Sequence, residues 1–302
     1  MKILCFGSLN LDYVYQVDHI VQPGETTTAM TYQIFNGGKG LNQAIALGRA
    51  NASPSMAGMI GQDGIHLLTY LQQSNVNTDL VSVCEGNTGH TTIQVDKNGQ
   101  NSIVYFPGTN QMIDETFIHQ VLAQFHSGDF VMLQNEINNI PFIIEHAKQK
   151  GMKIAFNPSP ITERLLQYPL NLVDLLILNE IEGFELTHEQ YPDNMIEKLH
   201  QAYPQTAVLL TLGKKGVLFS DKETRCHHGI YNVKAIDTTA AGDTFTGYFL
   251  ASYANQEPLE ECLRKASIAS SIAVSRQGAS NSIPFLAEVK NSKLELIKTQ
   301  ID

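Results

Sequence analysis

Asp243 follows a run of small residues at the start of a predicted helix. Segment 238–245 reads TTAAGDTF, and the helix is predicted over 244–255. The backbone N–H groups at a helix N-terminus lack intrahelical partners and carry positive partial charge, so they bind anions. A carboxylate beside a bound anion can accept a proton, which suggests phosphoryl transfer to a hydroxyl. Taken alone, such a segment is more often a structural helix cap.

A second glycine-rich segment, GGKG at 37–40, opens another predicted helix. It is not a Walker A loop, because Lys39 is followed by Gly40 rather than by Ser or Thr. It is not a dinucleotide fingerprint either, since Gln43 stands where the third glycine is needed. We interpret it as a close backbone approach to a ligand, with Lys39 and Asn42 as polar contacts. A flexible linker is the alternative, but linkers rarely run straight into an apolar helix.

The composition limits the possible classes of protein. The chain has 302 residues, 43% of them hydrophobic, which suits one large domain with or without a small appendage. A formal net charge of −10 argues against a non-specific nucleic-acid binder. The absence of a signal peptide or of 18 consecutive apolar residues predicts a cytoplasmic protein without membrane contact. Four scattered cysteines disfavour a zinc site: Cys5, Cys84, Cys226 and Cys262.

Alternating strand and helix patterns predict the main fold. Buried strands are predicted at 2–7, 130–133, 153–156, 175–178 and 207–212. This rhythm indicates an α/β fold with a doubly wound, mainly parallel sheet flanked by helices. The strands end in polar residues or glycine, which would face a shared crevice at one edge of the sheet. The charged tail is predicted to form a surface helix over 288–302.

Two pairs of alternating segments do not fit this rhythm. Segments 13–17 and 26–35 flank a Pro-Gly turn, and segments 91–95 and 102–106 flank a Lys-Asn-Gly turn. Alternation of apolar and polar residues is typical of strands with one face in water. We therefore predict two hairpins that form a small separate sheet.

Together these segments resemble the ribokinase-like family of sugar and nucleoside kinases over nearly the whole chain. The resemblance rests on GGKG with Asn42-Gln43, on Asn179 with Glu182, on the turn at 211–216 and on the segment at 237–245, all in family order. It implies one α/β domain over 1–302 with a discontinuous β lid at about 13–35 and 88–107. Lids of this kind pair in homodimers.

The resemblance implies transfer of the γ-phosphoryl group of ATP to the hydroxymethyl group of D-ribose, giving ribose 5-phosphate. Asp243 matches the base, and the anion hole matches the backbone N–H groups of Ala240, Ala241 and Gly242. The implied sugar contacts, besides Asp243, are Asn10, Asp12, Gly38, Lys39, Asn42 and Glu136. The implied nucleotide contacts are Asn179, Thr211, Gly213, Gly216, Gly242 and Ser267, where Ser267 replaces the His or Asn common in the family.

The resemblance also implies two metal ions besides ATP. Glu182 matches a residue that helps to organise Mg²⁺ through water. A monovalent cation, usually K⁺, matches a loop built from Asp237, Thr239, Ala273, Arg276, Gly278 and Ser282. The expected partners are the sugar and ATP, with no nucleic acid and no membrane.

Two alternatives remain open from the sequence. A related kinase for deoxyribose, another pentose, fructose or a nucleoside would use the same machinery. A nucleoside would need apolar or aromatic lid residues, and the polar His90, Thr92 and Gln94 make it less attractive. A catalytically silent sugar-binding regulatory protein is disfavoured because Asp243 and the anion-hole segment are intact.

Overall fold

The protein is described by a computed structural model that covers residues 1–299. Its helices are α1 Lys39–Arg49, α2 His66–Gln72, α3 Glu115–Leu122, α4 Ile140–Gln149, α5 Glu180–Thr187, α6 Pro192–Ala202, α7 Ala241–Ala254, α8 Leu259–Val274 and α9 Leu286–Lys290. Its strands are β1 Ile3–Phe6, β2 Asn10–Gln16, β3 Thr31–Gly37, β4 Ser55–Ile60, β5 Asn77–Val83, β6 Gly89–Val95, β7 Asn101–Phe106, β8 Phe130–Gln134, β9 Lys153–Asn157, β10 Leu175–Asn179, β11 Ala207–Thr211, β12 Val217–Ser220, β13 Arg225–His228, β14 Ile230–Tyr231 and β15 Leu296–Ile297.

The main sheet has nine strands in the order β13-β12-β11-β10-β9-β8-β1-β4-β5. Two pairs at one edge are antiparallel, β11 with β12 and β12 with β13, and the remaining pairs are parallel. The predicted doubly wound sheet is therefore confirmed, and four predicted strand starts match: Phe130, Lys153, Leu175 and Ala207. These strands read as continuous apolar runs because both faces of the sheet are covered.

Helices cover both faces of this sheet. Ile3 and Cys5 of β1 point into a core that includes α1, α7 and α8, whereas Leu4 and Phe6 point into a second core that includes α3, α4 and α6. Successive strand residues face opposite ways, so one short strand contributes to both cores. No helix within residues 1–299 is both long and apolar enough to cross a membrane.

Gly247 lets α7 lie close against α1. A Cβ atom added at Gly247 would be 2.4 Å from Cβ of Ala46 and 2.9 Å from the carbonyl oxygen of Gln43. Neither a backbone atom nor a methyl group on a packed helix can move aside at low cost. Because α1 carries Asn42 and Gln43 while α7 carries Asp243, this contact sets the distance between them.

We expect Gly247→Ala to destabilise the fold by about 1–3 kcal/mol, because overpacking outweighs the gain in helix propensity. Urea unfolding measures the change. The same substitution at Gly242, also on α7, is the matched control, since nothing lies within 4 Å of an added Cβ there. Equal stability of Gly247→Ala and the wild type would contradict this account of the α1–α7 contact.

A separate four-stranded sheet has the order β3-β2-β6-β7. Its central pair, β2 and β6, is parallel, and both outer pairs are antiparallel. The second predicted hairpin forms nearly as expected. The first differs: β2 begins at Asn10, and its partner begins at Thr31 rather than at residue 26. The intervening residues form a long loop instead, in which Gly24 turns the chain at φ +83°.

The C-terminal segment is not the predicted surface helix. α9 ends at Lys290, and β15 pairs with β14 in a two-stranded sheet. Leu294 packs against the core between these elements, which holds the chain in an extended path. Residues 300–302 of the predicted helix lie outside the described residues.

Candidate active site

Asp243 is buried in the first turn of α7, and its carboxylate is held by side chains of α1. Oδ2 accepts a hydrogen bond from Nδ2 of Asn42 at 2.9 Å, and Oδ1 accepts one from Nε2 of Gln43 at 2.9 Å. The helix N-cap is Ala240, which adopts the left-handed conformation at φ 58°. Asp243 therefore does not cap its own helix, and the simple structural-cap interpretation is wrong.

The N-terminus of α7 opens into a cleft of about 220 Å³ beside Asp243. The N–H of Ala241 donates to the carbonyl of Thr238 at 3.2 Å. Within residues 1–299, the N–H groups of Gly242 and Asp243 have no hydrogen-bond partner. A Cβ at Gly242 would meet open space, so the fold itself does not require glycine there. These features suit the binding of an anion at this helix end.

A second cleft of about 160 Å³ adjoins the first, and Thr211, Ala241 and Gly242 line both. It brings together predicted nucleotide residues from two parts of the chain: Gly213 and Gly216 of one turn, and Ser267 of α8. The two clefts meet at the N-terminus of α7. A ligand in the second cleft can thus extend an anionic group toward Asp243 in the first.

Glu136 and Lys39 lie close to Asp243. Oε2 of Glu136 accepts hydrogen bonds from Oγ of Ser8 at 2.5 Å and from the backbone N–H of Lys39 at 2.9 Å. Burial raises the pKa of Glu136, although Lys39 and Ser8 partly offset this effect. Burial disfavours the charged form of the Lys39 ammonium and so lowers its pKa. Three nearby carboxylates outweigh burial and raise the pKa of Lys39 overall: those of Asp243, Glu136 and Glu182.

Asn10 and Asp12 project from β2 of the small sheet. Oδ1 of Asn10 accepts from Nδ2 of Asn110 at 2.7 Å, and Oδ1 of Asp12 accepts from Oγ1 of Thr91 at 2.5 Å. Burial raises the pKa of Asp12, and the bond from Thr91 lowers it in part. A Cβ at Gly38, where φ is +91°, would lie 3.2 Å from the backbone nitrogen of Asn10. The GGKG segment thus runs directly past this polar group.

The residues of the small sheet that face Asp12 are not His90, Thr92 and Gln94, the lid residues considered from the sequence. Register pairs Asp12 with Thr91, and Thr91 with Tyr105, so these three residues share one face. His90, Thr92 and Gln94 alternate with Thr91 and lie on the opposite face, where His90 contacts the rings of Tyr13 and Phe106. The polarity of His90, Thr92 and Gln94 is therefore no argument against a nucleoside as the substrate.

Asn179 and Glu182 form a reciprocal cap at the start of α5. The side chain of Asn179 accepts from the N–H of Glu182 at 2.9 Å, and Oε2 of Glu182 accepts from the N–H of Asn179 at 3.0 Å. Both residues line the first cleft with Asp243. Oε1 of Glu182 has no hydrogen-bond partner within the described chain, so it can contact a metal-bound water.

Asp237 joins the two segments of the predicted cation loop. Its Oδ1 accepts from the N–H of Thr239 at 2.9 Å, and its Oδ2 accepts from the N–H of Gly278 at 3.0 Å. Burial works against the charged carboxylate, but a hydrogen bond from Oγ1 of Thr239 and these two backbone bonds together outweigh burial and lower the pKa of Asp237. The guanidinium of Arg276 pairs with Glu288 of α9. The remaining predicted members, Ala273 and Ser282, lie at the end of α8 and in the turn before α9.

Several residues of the site were missing from the sequence-based set. Ser8, Asn110 and Thr91 orient Glu136, Asn10 and Asp12, and Gln43 binds Asp243 directly. Gln43 lies inside the GGKG-x-NQ signature, so its position was a usable signal. The others become visible only once strands distant in sequence are paired.

The family assignment follows from comparison with known proteins. Residues 1–286 match the pfkB family carbohydrate kinase model. Ribokinases from Haemophilus influenzae and Staphylococcus aureus are each 36% identical, over 293 and 301 residues, covering 93% and 95% of this chain and 95% and 98% of theirs. The structure of Cryptococcus neoformans ribokinase in complex with ADP matches with a TM-score of 0.86 at 31% identity, over 96% of this chain and 98% of that one. Arabidopsis thaliana ribokinase complexed with ribose and ATP gives 0.85 at 28%, over 96% and 97%. The resemblance found in the sequence is confirmed, and the chain belongs to the pfkB family of carbohydrate kinases.

Proposed function

We propose that this carbohydrate kinase transfers the γ-phosphoryl group of ATP to the hydroxymethyl group of ribose, with Asp243 as the base. The main structural support is the position of Asp243, a buried carboxylate beside the free N–H groups of α7 at the junction of two clefts. The two bacterial relatives that are each 36% identical to this chain are ribokinases, which supports ribose as the acceptor.

In this mechanism Asp243 accepts the proton of the sugar hydroxyl as its oxygen attacks the γ-phosphorus. The bond from that phosphorus to the β–γ bridging oxygen breaks, and ADP leaves. A hydroxyl is a weak nucleophile, so removal of its proton during attack accelerates the reaction. The free N–H groups of Gly242 and Asp243 stabilise the charge on the transferred group.

We propose that Mg²⁺ binds through water to Glu182. Lys39 is the one cation among the described residues that line the first cleft, and it faces the carboxylates of Asp243 and Glu182 there, so the cleft is already net negative before a nucleotide enters. A divalent ion supplies charge neutralisation for the phosphates. Glu182 presents one free carboxylate oxygen and is held by its cap, which fits an ion that keeps most of its waters.

We further propose that K⁺ binds the loop at 237–239 and 273–282. Asp237 ties these two segments together. The backbone carbonyl oxygens of the neighbouring residues are the kind of ligand that K⁺ binds. The loop runs directly into Ala240, which holds a left-handed conformation that costs about 1–2 kcal/mol in a residue other than glycine. A bound cation would stiffen this turn and the helix end that follows.

The small sheet supports two further proposals, that it acts as a lid and that two lids pair in a homodimer. Four large apolar side chains share its outer face and are 48–68% exposed: Tyr32, Ile34, Val104 and Phe106. Such exposure is unusual on one small sheet and is typical of an interface. A cytoplasmic location is proposed as well, since ATP is available there and the four cysteines are free.

The pH dependence of sugar binding tests the proposed contact with Asp12. We expect affinity for ribose to fall as the pH drops through the raised pKa of Asp12, because the protonated carboxyl is a poorer acceptor. Thr91→Val removes the bond that lowers this pKa, so the midpoint should move to higher pH. Calorimetric titration with ribose at several pH values measures it. Thr92→Val, on the other face of β6, is the control, and identical midpoints in all three proteins would remove Asp12 from the site.

The substrate is tested by an ADP-release assay with ribose, 2-deoxyribose, fructose and adenosine. We expect the highest kcat/KM with ribose, and a higher rate in K⁺ than in Na⁺ alone. Deoxyribose is the second candidate, because a Salmonella typhi deoxyribokinase is 27% identical over 299 residues. Activity with none of the four acceptors would overturn the proposed substrate class. An equal rate in both salts would contradict the proposal that K⁺ binds the loop at 237–239 and 273–282.

A further inference from the structure

Gln43 is fully buried and binds the carboxylate of Asp243 from one side, while Asn42 binds it from the other. Nε2 of Gln43 donates to Oδ1 at 2.9 Å, and Nδ2 of Asn42 donates to Oδ2 at 2.9 Å. Each carboxylate oxygen thus receives one amide N–H from α1. Rotation of the carboxylate would break both bonds together.

The orientation of the Gln43 amide is determined by its other neighbours. Nδ2 of Asn157 donates at 3.0 Å to the backbone carbonyl of Ile177, which can only accept. Oδ1 of Asn157 therefore faces Gln43 and receives its Nε2 at 3.2 Å. Oε1 of Gln43 then faces Gln134, whose Nε2 donates at 2.7 Å. Each amide in this chain, formed by Gln134, Gln43 and Asn157, has a single consistent orientation.

This amide chain connects the sheet to the reacting group. Gln134 ends β8 and Asn157 ends the adjacent β9, so both are carried by the rigid core of the fold. Nδ2 of Asn157 also lies 3.5 Å from Oε2 of Glu182, which lines the same cleft as Asp243. The chain thus holds Asp243 in a fixed relation to the sheet.

We propose that Gln43 is a positioning residue for Asp243, held in one orientation by Gln134 and Asn157. Gln43 is 0% exposed, so it acts on the reaction through Asp243 rather than by touching the sugar. Hydrogen bonds donated to an ionised carboxylate stabilise its charged form. Gln43 therefore keeps the carboxylate of the base aimed at the sugar hydroxyl. This inference rests on the proposed kinase function.

Other charged and titratable groups face Asp243 from the elements around it. Lys39 on α1 and Glu136 after β8 both interact electrostatically with Asp243. Glu182 on α5 lines the same cleft, and the buried Cys5 thiol on β1 interacts electrostatically with Asp243. Gln43 is neutral, so replacing it by Glu adds a like charge at hydrogen-bond distance.

The test is the pH dependence of kcat for the wild type, Gln43→Met, Gln43→Glu and Gln134→Met. We expect Gln43→Met to lower kcat by about 10–100-fold, as loss of an orienting partner does in metal sites. The acid limb of its kcat profile should move up by about one pH unit or more, and the acid limb of Gln43→Glu should move further in the same direction. Gln134→Met leaves both donors to Asp243, so its kcat should fall only a few-fold. KM for ATP should change little in all three.

A merely structural role would lower Tm without moving the acid limb. An active wild type whose acid limb is unchanged in both Gln43 variants would overturn the positioning role and leave the proposed function intact. Should Gln43→Met fail to fold, the profile of Gln43→Glu, which has the same length, decides alone. A wild type without kinase activity would instead overturn the proposed function, and this inference with it.

Discussion

Asp243→Asn is expected to lower kcat by about 10²–10⁴-fold, the usual contribution of a positioned general base. The amide cannot accept the proton of the sugar hydroxyl, but it occupies the same volume. Its single oxygen can still accept from Asn42 or Gln43, while its nitrogen faces the other donor. We therefore expect a loss of stability of about 1–3 kcal/mol, with ribose and ATP still bound. Steady-state kinetics and calorimetric titration measure the two effects separately.

Asp129→Asn is the matched control for this variant. Asp129 is equally buried, and its carboxylate also accepts two N–H bonds, from Lys2 at 2.7 Å and from His126 at 3.0 Å. It lies directly before β8, at the edge of the sheet opposite the site. Asp129→Asn should lose comparable stability and keep its kcat. A kcat within a few-fold of the wild type in Asp243→Asn would show that Asp243 is not the base.

Gly242→Ala is expected to lower kcat by about 10²–10³-fold without destabilising the protein. An added Cβ would meet no protein atom within 4 Å, because it would project into the space where we place the transferred phosphoryl group. The methyl group would displace that group from the N–H donors, and the loss of one such donor typically costs this much. Alanine also suits a helix better than glycine by up to about 1 kcal/mol.

Urea unfolding and steady-state kinetics on the same preparation test this prediction. Gly247→Ala on the same helix should show the reverse pattern, with reduced stability and a kcat per folded molecule closer to that of the wild type. A Gly242→Ala enzyme with full kcat would mean that the phosphoryl group binds elsewhere. A marked loss of its stability would mean that the space beside Gly242 is not open.

Much of the main sheet was predictable because its strands are buried on both faces. Such strands read as apolar runs that end in polar residues, so the starts at Phe130 and Lys153 and the position of Asn179 were visible in the sequence. Helix α7 was visible as well, although it begins at Ala241 rather than at the predicted residue 244. These features depend on local sequence, which a single chain displays directly.

The small sheet shows where local sequence was insufficient. Alternation shows that a strand has two different faces, but not which face turns inward. His90 and Thr91 both belong to an alternating segment, and only the register with Asp12 shows that Thr91 faces the site. The strand start expected at residue 26 was wrong for a similar reason, because the turn at 23–24 does not close a tight hairpin.

The amide chain behind Asp243 was not predictable. Gln43, Gln134 and Asn157 are separated by up to 114 residues in sequence and meet only because α1 packs over the ends of β8 and β9. Amide side chains at strand ends are common in loops and carry no specific local signal. Their role depends on hydrogen bonds that exist only in the folded protein.

The most direct measurement is ³¹P NMR of the product formed from ribose and ATP by the wild type and by Asp243→Asn at equal folded concentration. The wild type should give a phosphomonoester whose signal is split by the two protons of the C5 methylene group, whereas the variant should give almost none in the same time. Formation of that product by the variant at the wild-type rate, or phosphorylation at a different oxygen by the wild type, would contradict the account.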